Sequence, residues 1–357
     1  PDVVLNAATN KLYIFYSAKS PEFYRMSFSG GAWSIDPGYP VALSVLGKGD
    51  SKNPASLVAA KNNELWIFRI NSARVEAIRS TNEGASWSSL ITVKSGLNND
   101  KGLTDARAFT SAGQNYLGVA YGEEELPGAS RFGFLYHQDG ALETAWTDES
   151  AALTVGTENA TSNICLAADA ANNLYLLTQN ANATGSDPFN TLYKRSAAGG
   201  WQGFKVNTTN TWTSPAVAVS STNKLFLLGI DHATFKGQYK SLAIGQESTA
   251  ASVLTTPLFE NDADLFADLS APPHVVDGAS HLMITGENTE AGNIWFNLLQ
   301  VGGGGPGPGP GPGCPPVFAA GPTAIEGTKG GSSIFYKPNQ SKVFYHAKTW
   351  WVAAQDT

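Results

Sequence analysis

The sequence predicts an all-β protein: a seven-bladed β-propeller of four-stranded antiparallel blades, with six blades as the alternative count. Three observations predict it. A leucine-centred strand start recurs in "NKLYIFY", "NELWIF", "NYLGVAY", "NNLYLL", "NKLFLL" and "SHLMI". It places Leu12, Leu65, Leu117, Leu174, Leu225 and Leu282 at steps of 51 to 57 residues. A period near 50 residues built of short strands marks a propeller blade. An apolar, aromatic run then meets a Gly-containing turn and a tryptophan, ending at Trp33, Trp87, Trp146 and Trp201. Finally, Tyr, Phe, Ile and Val fill the runs while Gly, Pro, Asn and Ser punctuate them, as strand and turn chemistry require.

The first unit reads in full. "DVVLNAA" is its inner strand, "KLYIFYS" the second, "EFYRMSF" the third, and "AWSIDPG" opens the outer one. Later inner strands are "NPASLVAA" from 53, "DARAFTS" from 105, "NICLAA" from 163, "PAVAVS" from 215 and "PHVVDG" from 273. They are small and apolar, as the crowded centre of a propeller demands. Blades 1 to 6 occupy residues 1–301, with no outer strand legible after "NIWFNLLQ" in the sixth. The tract "GGGGPGPGPGPG", 302–313, is an exposed loop or linker, because alternating Gly and Pro supply neither ladder donors nor a core face. It reads as a tolerated insertion or as a relic of permutation. Residues 314–357 then close the same domain as blade 7, with "VFAAGPTAI", "SSIFYKP", "KVFYHA" and "TWWVAAQ" as its four strands. Aligning "SKVFY" with "NKLYI" instead leaves too little chain to finish the blade.

The Gly turn joins the third and outer strands, so each Trp begins an outer strand and closes the blade edge. "STNEGASW", with Ser80, Asn82, Gly84 and Trp87, resembles the Asp-box of the sialidase superfamily, Ser-x-Asp-x-Gly-x-x-Trp, with Asn82 in place of the Asp. "FSGGAW" and "AAGGW" are degenerate copies. The resemblance implies a propeller whose boxes lie opposite the active site and do no chemistry. It also implies three arginines on a sugar carboxylate, a Tyr nucleophile with a Glu partner, and an Asp acid/base. Arg69, Arg74, Arg107 and Arg131 could point to the ligand face, but all belong to blades 2 and 3, and the family's Arg-Ile-Pro motif is absent.

Net charge is −7, only 15% of residues are charged, and no basic run stands out, which argues against nucleic acid as a partner. No run reaches the roughly 20 apolar residues of a membrane span. The opening Pro1-Asp2-Val3 shows no signal peptide, and a composition rich in Ser, Thr, Asn and Gly fits a secreted or cell-surface protein in mature form. Two cysteines cannot form a disulfide framework: Cys165 reads as a core residue and Cys314 as free or paired with another chain. No cofactor is expected, and no Asp-x-Asp-x-Asp-Gly loop supports calcium.

With inner strands starting on the ligand face, Asp2, Asn53, Asp105, Asn163, Ser214 and His274 would ring the central mouth. Tyr121, Glu123, Asp231, His232 and Glu287 would join them from loops between second and third strands. Asp105 and Arg107, two apart, share one side of their strand. They form either an ion pair tying blades together or a substrate contact. His232, His274, Tyr121 and Arg107 suit a lyase: Arg neutralises a uronate carboxylate, His takes the C5 proton, and Tyr protonates the leaving oxygen. Asp105, Arg69, Arg74, Arg131, Glu123, Asp231, Glu287, Asn53 and Asn163 are candidate ligand contacts. Three functions follow: an extracellular lectin- or adhesin-like carbohydrate-binding propeller first, then a polysaccharide lyase or glycoside hydrolase acting on an acidic glycan, then a protein-interaction scaffold.

Overall fold

The computed structural model describes residues 2–17, 20–47, 54–124, 131–155, 160–180, 188–209, 211–258, 266–272, 281–288, 293–301, 323–324, 343–346 and 349–352. Their strands form six four-stranded antiparallel sheets in chain order, each running from an inner to an outer strand. The protein is therefore an all-β propeller. Blade 1 comprises Asp2–Asn6, Lys11–Tyr16, Glu22–Ser29 and Ala32–Ile35, with Val41–Ala42 pairing back onto the third strand. Blade 2 is Ser56–Ala59, Leu65–Asn71, Arg74–Ser80 and Ile91–Ser95. Blade 3 is Gly102–Ser111, Gln114–Glu123, Phe132–Gln138 and Thr147–Asp148. Blade 4 is Ala160–Ala168, Leu174–Asn180, Asn190–Arg195 and Trp201–Asn207. Blade 5 is Trp212–Val219, Lys224–Asp231, Gly237–Ala243 and Thr256–Pro257. Blade 6 is Phe266–Ser270, His281–Asn288, Asn293–Gln300 and Thr323–Ala324.

The core lies between blades, because a strand buried on both faces must pack against two neighbours. Trp66, Phe68 and Ile70 of blade 2 meet Ala106, Leu117 and Val119 of blade 3. Phe132 and Phe134 of blade 3 meet Ile164, Leu166 and Leu174 of blade 4.

Two expectations for blade 6 are corrected. Its inner strand is Phe266–Ser270, several residues before the "PHVVDG" stretch, which lies outside the described residues. The blade also has its outer strand: Thr323–Ala324, within the stretch expected to open blade 7, pairs with Trp295 and Phe296. The segment carrying the Gly/Pro tract therefore connects the third and outer strands of blade 6, and the tract itself lies outside the described residues.

A last hairpin, Val343–His346 with Thr349–Val352, completes the described strands. Phe344 packs with Val3 and Leu12 of blade 1, and Val343 with Met283 of blade 6. Its first strand lies against the inner strand of blade 1 and the second strand of blade 6. At the other junctions the strands in that position are the first two of a blade, so the expected placement of this hairpin as third and outer strands is corrected.

The turn at 80–87 shows why its residues recur. Ser80 Oγ accepts the Gly84 N–H at 2.9 Å and Asn82 Oδ1 accepts the Ser86 N–H at 2.9 Å, so short side chains replace missing ladder partners. Gly84 has φ +84°, and a Cβ there would sit 2.0 Å from the Phe23 ring. Trp87 donates Nε1–H to the Gly84 carbonyl at 3.1 Å and sets its indole edge-on to Phe23 of blade 1 at 5.1 Å. The tryptophan thus seals one blade against the next.

Candidate functional site between blades 2 and 3

The inner-strand acids expected at the mouth act as ties between blades. Asp2 Oδ2 accepts the Leu57 N–H of blade 2 at 2.7 Å. Asp105 Oδ2 accepts the Leu166 N–H of blade 4 at 2.7 Å, and Arg107 pairs with Asp105 Oδ1 at 2.7 Å. Burial pushes the Asp105 carboxyl up to about 7, with Arg107 pulling it down and the Asp2 charge pushing it up. Cys165 Sγ accepts the Val217 N–H of blade 5 at 3.4 Å, and burial drives its thiol up to about 12.

Strand pairing separates the expected lyase set. Tyr121 pairs with Thr104 and Arg107 with Gly118. Paired residues share a face and positions an odd number apart alternate, so Tyr121 and Arg107 project from opposite faces of blade 3. Tyr121 joins the core against blade 2, while Asp105, on the face of Arg107, reaches blade 4. His232 is exposed in a loop of blade 5, its ring 6.2 Å from Phe235, and His274 lies outside the described residues.

The other expected contacts scatter. Arg69 is tied to Glu76 at 3.0 Å and to the Leu46 carbonyl. Arg74 is exposed at the start of its strand. Asn163 donates to Gln179 Oε1 at 2.8 Å. Asp231 Oδ1 accepts the N–H groups of Ala233 and Thr234 and so orders its own loop. Glu287 pairs with Asp268 through the backbone of blade 6, and Asn53 lies outside the described residues.

Three expected residues do converge. Tyr121, Glu123 and Arg131 line a cavity of about 530 Å³ between blades 2 and 3, together with Lys94, Asn98 and Ser150. It opens where second strands end and the next inner strand begins. Glu123 closes the second strand opposite Gly102 and is 2% exposed. Its Oε2 accepts the Asn98 N–H at 3.3 Å. Burial raises its carboxyl above the usual range, against the pull of Asn98 and of the Arg131 and Lys94 charges. The Tyr121 hydroxyl lies 3.3 Å from Ser150 Oγ, and burial raises its pKa as well. Gly133 makes room for that ring, since a Cβ there would fall 2.0 Å from it. Lys94 bridges to Asp148. Burial opposes its charge, but Asp148 and the Tyr121 oxygen outweigh it and raise its pKa.

Lys94, Asn98 and Ser150 were missed. The available signal was positional: the outer strand of one blade ends on the face where the next blade's second strand ends. The arrangement can hold an anionic group between Lys94 and Arg131 and offer it a buried carboxyl and a phenol. Among the described residues no cluster of His, Cys, Asp and Glu could hold a metal ion, and no helix is long and apolar enough to cross a membrane.

No family model matches the chain, and no curated protein matches it. Solved structures resemble it in fold. A polysaccharide lyase, an ulvan lyase of family PL25, superposes with TM-score 0.52 at 12% identity, over 84% of this chain and 78% of that one. The GH93 α-L-arabinofuranosidase of Fusarium graminearum superposes with TM-score 0.50 at 13% identity, over 69% of this chain and 77% of the other. A Hadza microbial sialidase reaches 0.49 at 12% identity, over 84% and 65%. At these identities the likeness to the lyase and the arabinofuranosidase is one of fold alone.

Proposed function

We propose that this propeller is a secreted or surface enzyme that cleaves an acidic glycan, as a polysaccharide lyase, at the cavity between blades 2 and 3. The observation that carries the reading is the convergence of Glu123, Tyr121, Arg131 and Lys94 on one cavity of about 530 Å³. Arg131 and Lys94 neutralise a uronate carboxylate, which acidifies the C5 proton. Glu123, whose proton affinity burial has raised, takes that proton. Tyr121, held protonated by its raised pKa, gives its own to O4 as the C4–O bond breaks, leaving a C4=C5 double bond and a free hydroxyl. A glycoside hydrolase would use Glu123 as the acid instead. Binding without cleavage was the first expectation. The fold neighbours at TM-score 0.52 and 0.50, described as a polysaccharide lyase and an arabinofuranosidase, favour an enzyme. The same reading takes the hairpin 343–352 as part of a seventh blade closing the ring, supported by its seat between blades 6 and 1.

The test is incubation with a panel of uronate-containing polysaccharides, following the ultraviolet absorbance of the unsaturated product. Glu123→Gln and Tyr121→Phe should each lower the rate by about 100-fold or more, as loss of a general acid or base does. Binding of the panel with no new reducing ends would sink the enzyme reading and restore the lectin. New reducing ends without the double bond would establish a hydrolase.

A further inference from the structure

A second cavity, of about 260 Å³, lies between blades 4 and 5, lined by Asn207, Thr209, Trp212, Asp231, Gln238 and Lys240, among others. Its position repeats the first. Trp212 opens an inner strand opposite Asp231, as Gly102 opens one opposite Glu123. The two cavities therefore share a face of the propeller and a place in the blade, but not a side-chain set.

What sets this cavity apart is Lys240. The residue is 4% exposed. Its ammonium donates to the Val206 carbonyl at 2.7 Å and to the Ala250 carbonyl at 3.0 Å, and stands 5.7 Å from the Trp212 ring centre. No carboxylate lies within ion-pairing distance of it among the described residues, whereas Lys194 on blade 4 pairs with Glu247 at 2.8 Å. An ammonium has three N–H donors, and two are used here. Burying a cation without a counter-ion opposes folding, so an isolated lysine in the interior is retained against stability. Burial alone lowers its pKa, in keeping with a charge that nothing nearby balances.

We infer that this cavity binds the carboxylate of a single sugar acid, with Lys240 as its counter-ion. The rest of the wall suits the sugar. Gln238 Oε1 accepts the Trp212 indole N–H at 3.2 Å, leaving the Gln238 amide N–H₂ to face a ligand oxygen. Thr209 and Asn207 add polar contacts. The Oδ1 of Asp231 is engaged by its own loop, which fixes this carboxylate in the cavity wall. At about 260 Å³ the space falls below the roughly 300–1,000 Å³ of sites for larger ligands, which fits one ring. The inference stands whether or not the first cavity cleaves its substrate.

Calorimetric titration of the whole protein with sodium D-glucuronate, methyl β-D-glucoside and sodium sulfate tests it, in wild type, Lys240→Met and Lys94→Gln/Arg131→Gln. Glucuronate should saturate wild type at about millimolar Kd, with the neutral glycoside and sulfate at least tenfold weaker. Lys240→Met should lose about tenfold or more in glucuronate affinity while remaining folded under the titration conditions. The double variant should retain the binding. Equal affinity in Lys240→Met, loss confined to the double variant, or sulfate binding as tightly as glucuronate would each overturn the proposal. If Lys240→Met fails to fold, glucuronate soaked into crystals of the unaltered protein decides. Its carboxylate within hydrogen-bond distance of Lys240 Nζ supports the site, and glucuronate bound only elsewhere overturns it.

Discussion

At the centre of the ring, Asp105 meets an arginine at 2.7 Å and the backbone of the next blade at 2.7 Å. At the blade 2–3 cavity, Glu123 meets the Asn98 backbone N–H at 3.3 Å and the Asn98 side chain, and lines the cavity with Arg131 and Lys94. Both acids are buried and both are raised by burial. Only the first has its charge taken up by groups that also hold blades together. The contrast teaches where to look in a propeller of this kind. An inner-strand charge at the crowded centre is a tie, and a charge at the end of a second strand is available to a ligand. The largest expected effect tests the tie. Arg107→Met leaves Asp105 buried with its counter-ion gone, which should cost about 3–5 kcal/mol of unfolding free energy at pH 8. Tryptophan fluorescence in urea would measure it. At pH 5 Asp105 is protonated in both proteins and the cost should shrink by about 1.4 kcal/mol, the one pH unit separating pH 8 from its pKa of about 7. An equal loss at both pH values would show that Arg107 contributes packing, not charge.

The same pair makes a pH prediction of intermediate size. The folded-state pKa of Asp105, about 7, lies above the ordinary value of 3.8. Between those limits the folded chain holds a proton at this site that the unfolded chain has released. Stability from this group is therefore greatest at low pH and falls as pH rises through the window, by about 1.4 kcal/mol per unit, levelling off above pH 7. Asp105→Asn should flatten that slope. A slope unchanged in the variant would place the titration elsewhere.

How far the sequence reached follows from the same geometry. The six leucines lie in, or border, second strands, which are long, buried and regular, so their period survives in the residues. The side shared by Asp105 and Arg107 was legible because strand parity is local. Outer strands such as Thr147–Asp148, Thr256–Pro257 and Thr323–Ala324 have two residues each, too few to show any alternation. The inner strand of blade 6 was displaced because "FADLS" and "PHVVDG" are both short apolar runs carrying an acid, and only pairing with His281–Asn288 tells them apart. The cavity was half legible. Tyr121, Glu123 and Arg131 come from one blade, whereas Lys94 comes from the preceding one, and proximity across a junction has no local signature.

The smallest stability effects belong to the cavity, and their smallness is the point. Tyr121→Phe removes a hydroxyl whose contact with Ser150 is 3.3 Å long, and leaves the ring seated over Gly133. It should change unfolding free energy by no more than about 1 kcal/mol. Glu123→Gln keeps an acceptor for the Asn98 N–H and removes a carboxylate that burial already disfavours, so it should be neutral or slightly stabilising. Both variants should melt within a few degrees of wild type while losing turnover or ligand affinity at this cavity. If either unfolds the protein as severely as Arg107→Met at pH 8, Glu123 and Tyr121 are ties like Asp105, and the division between a closed centre and an open junction fails.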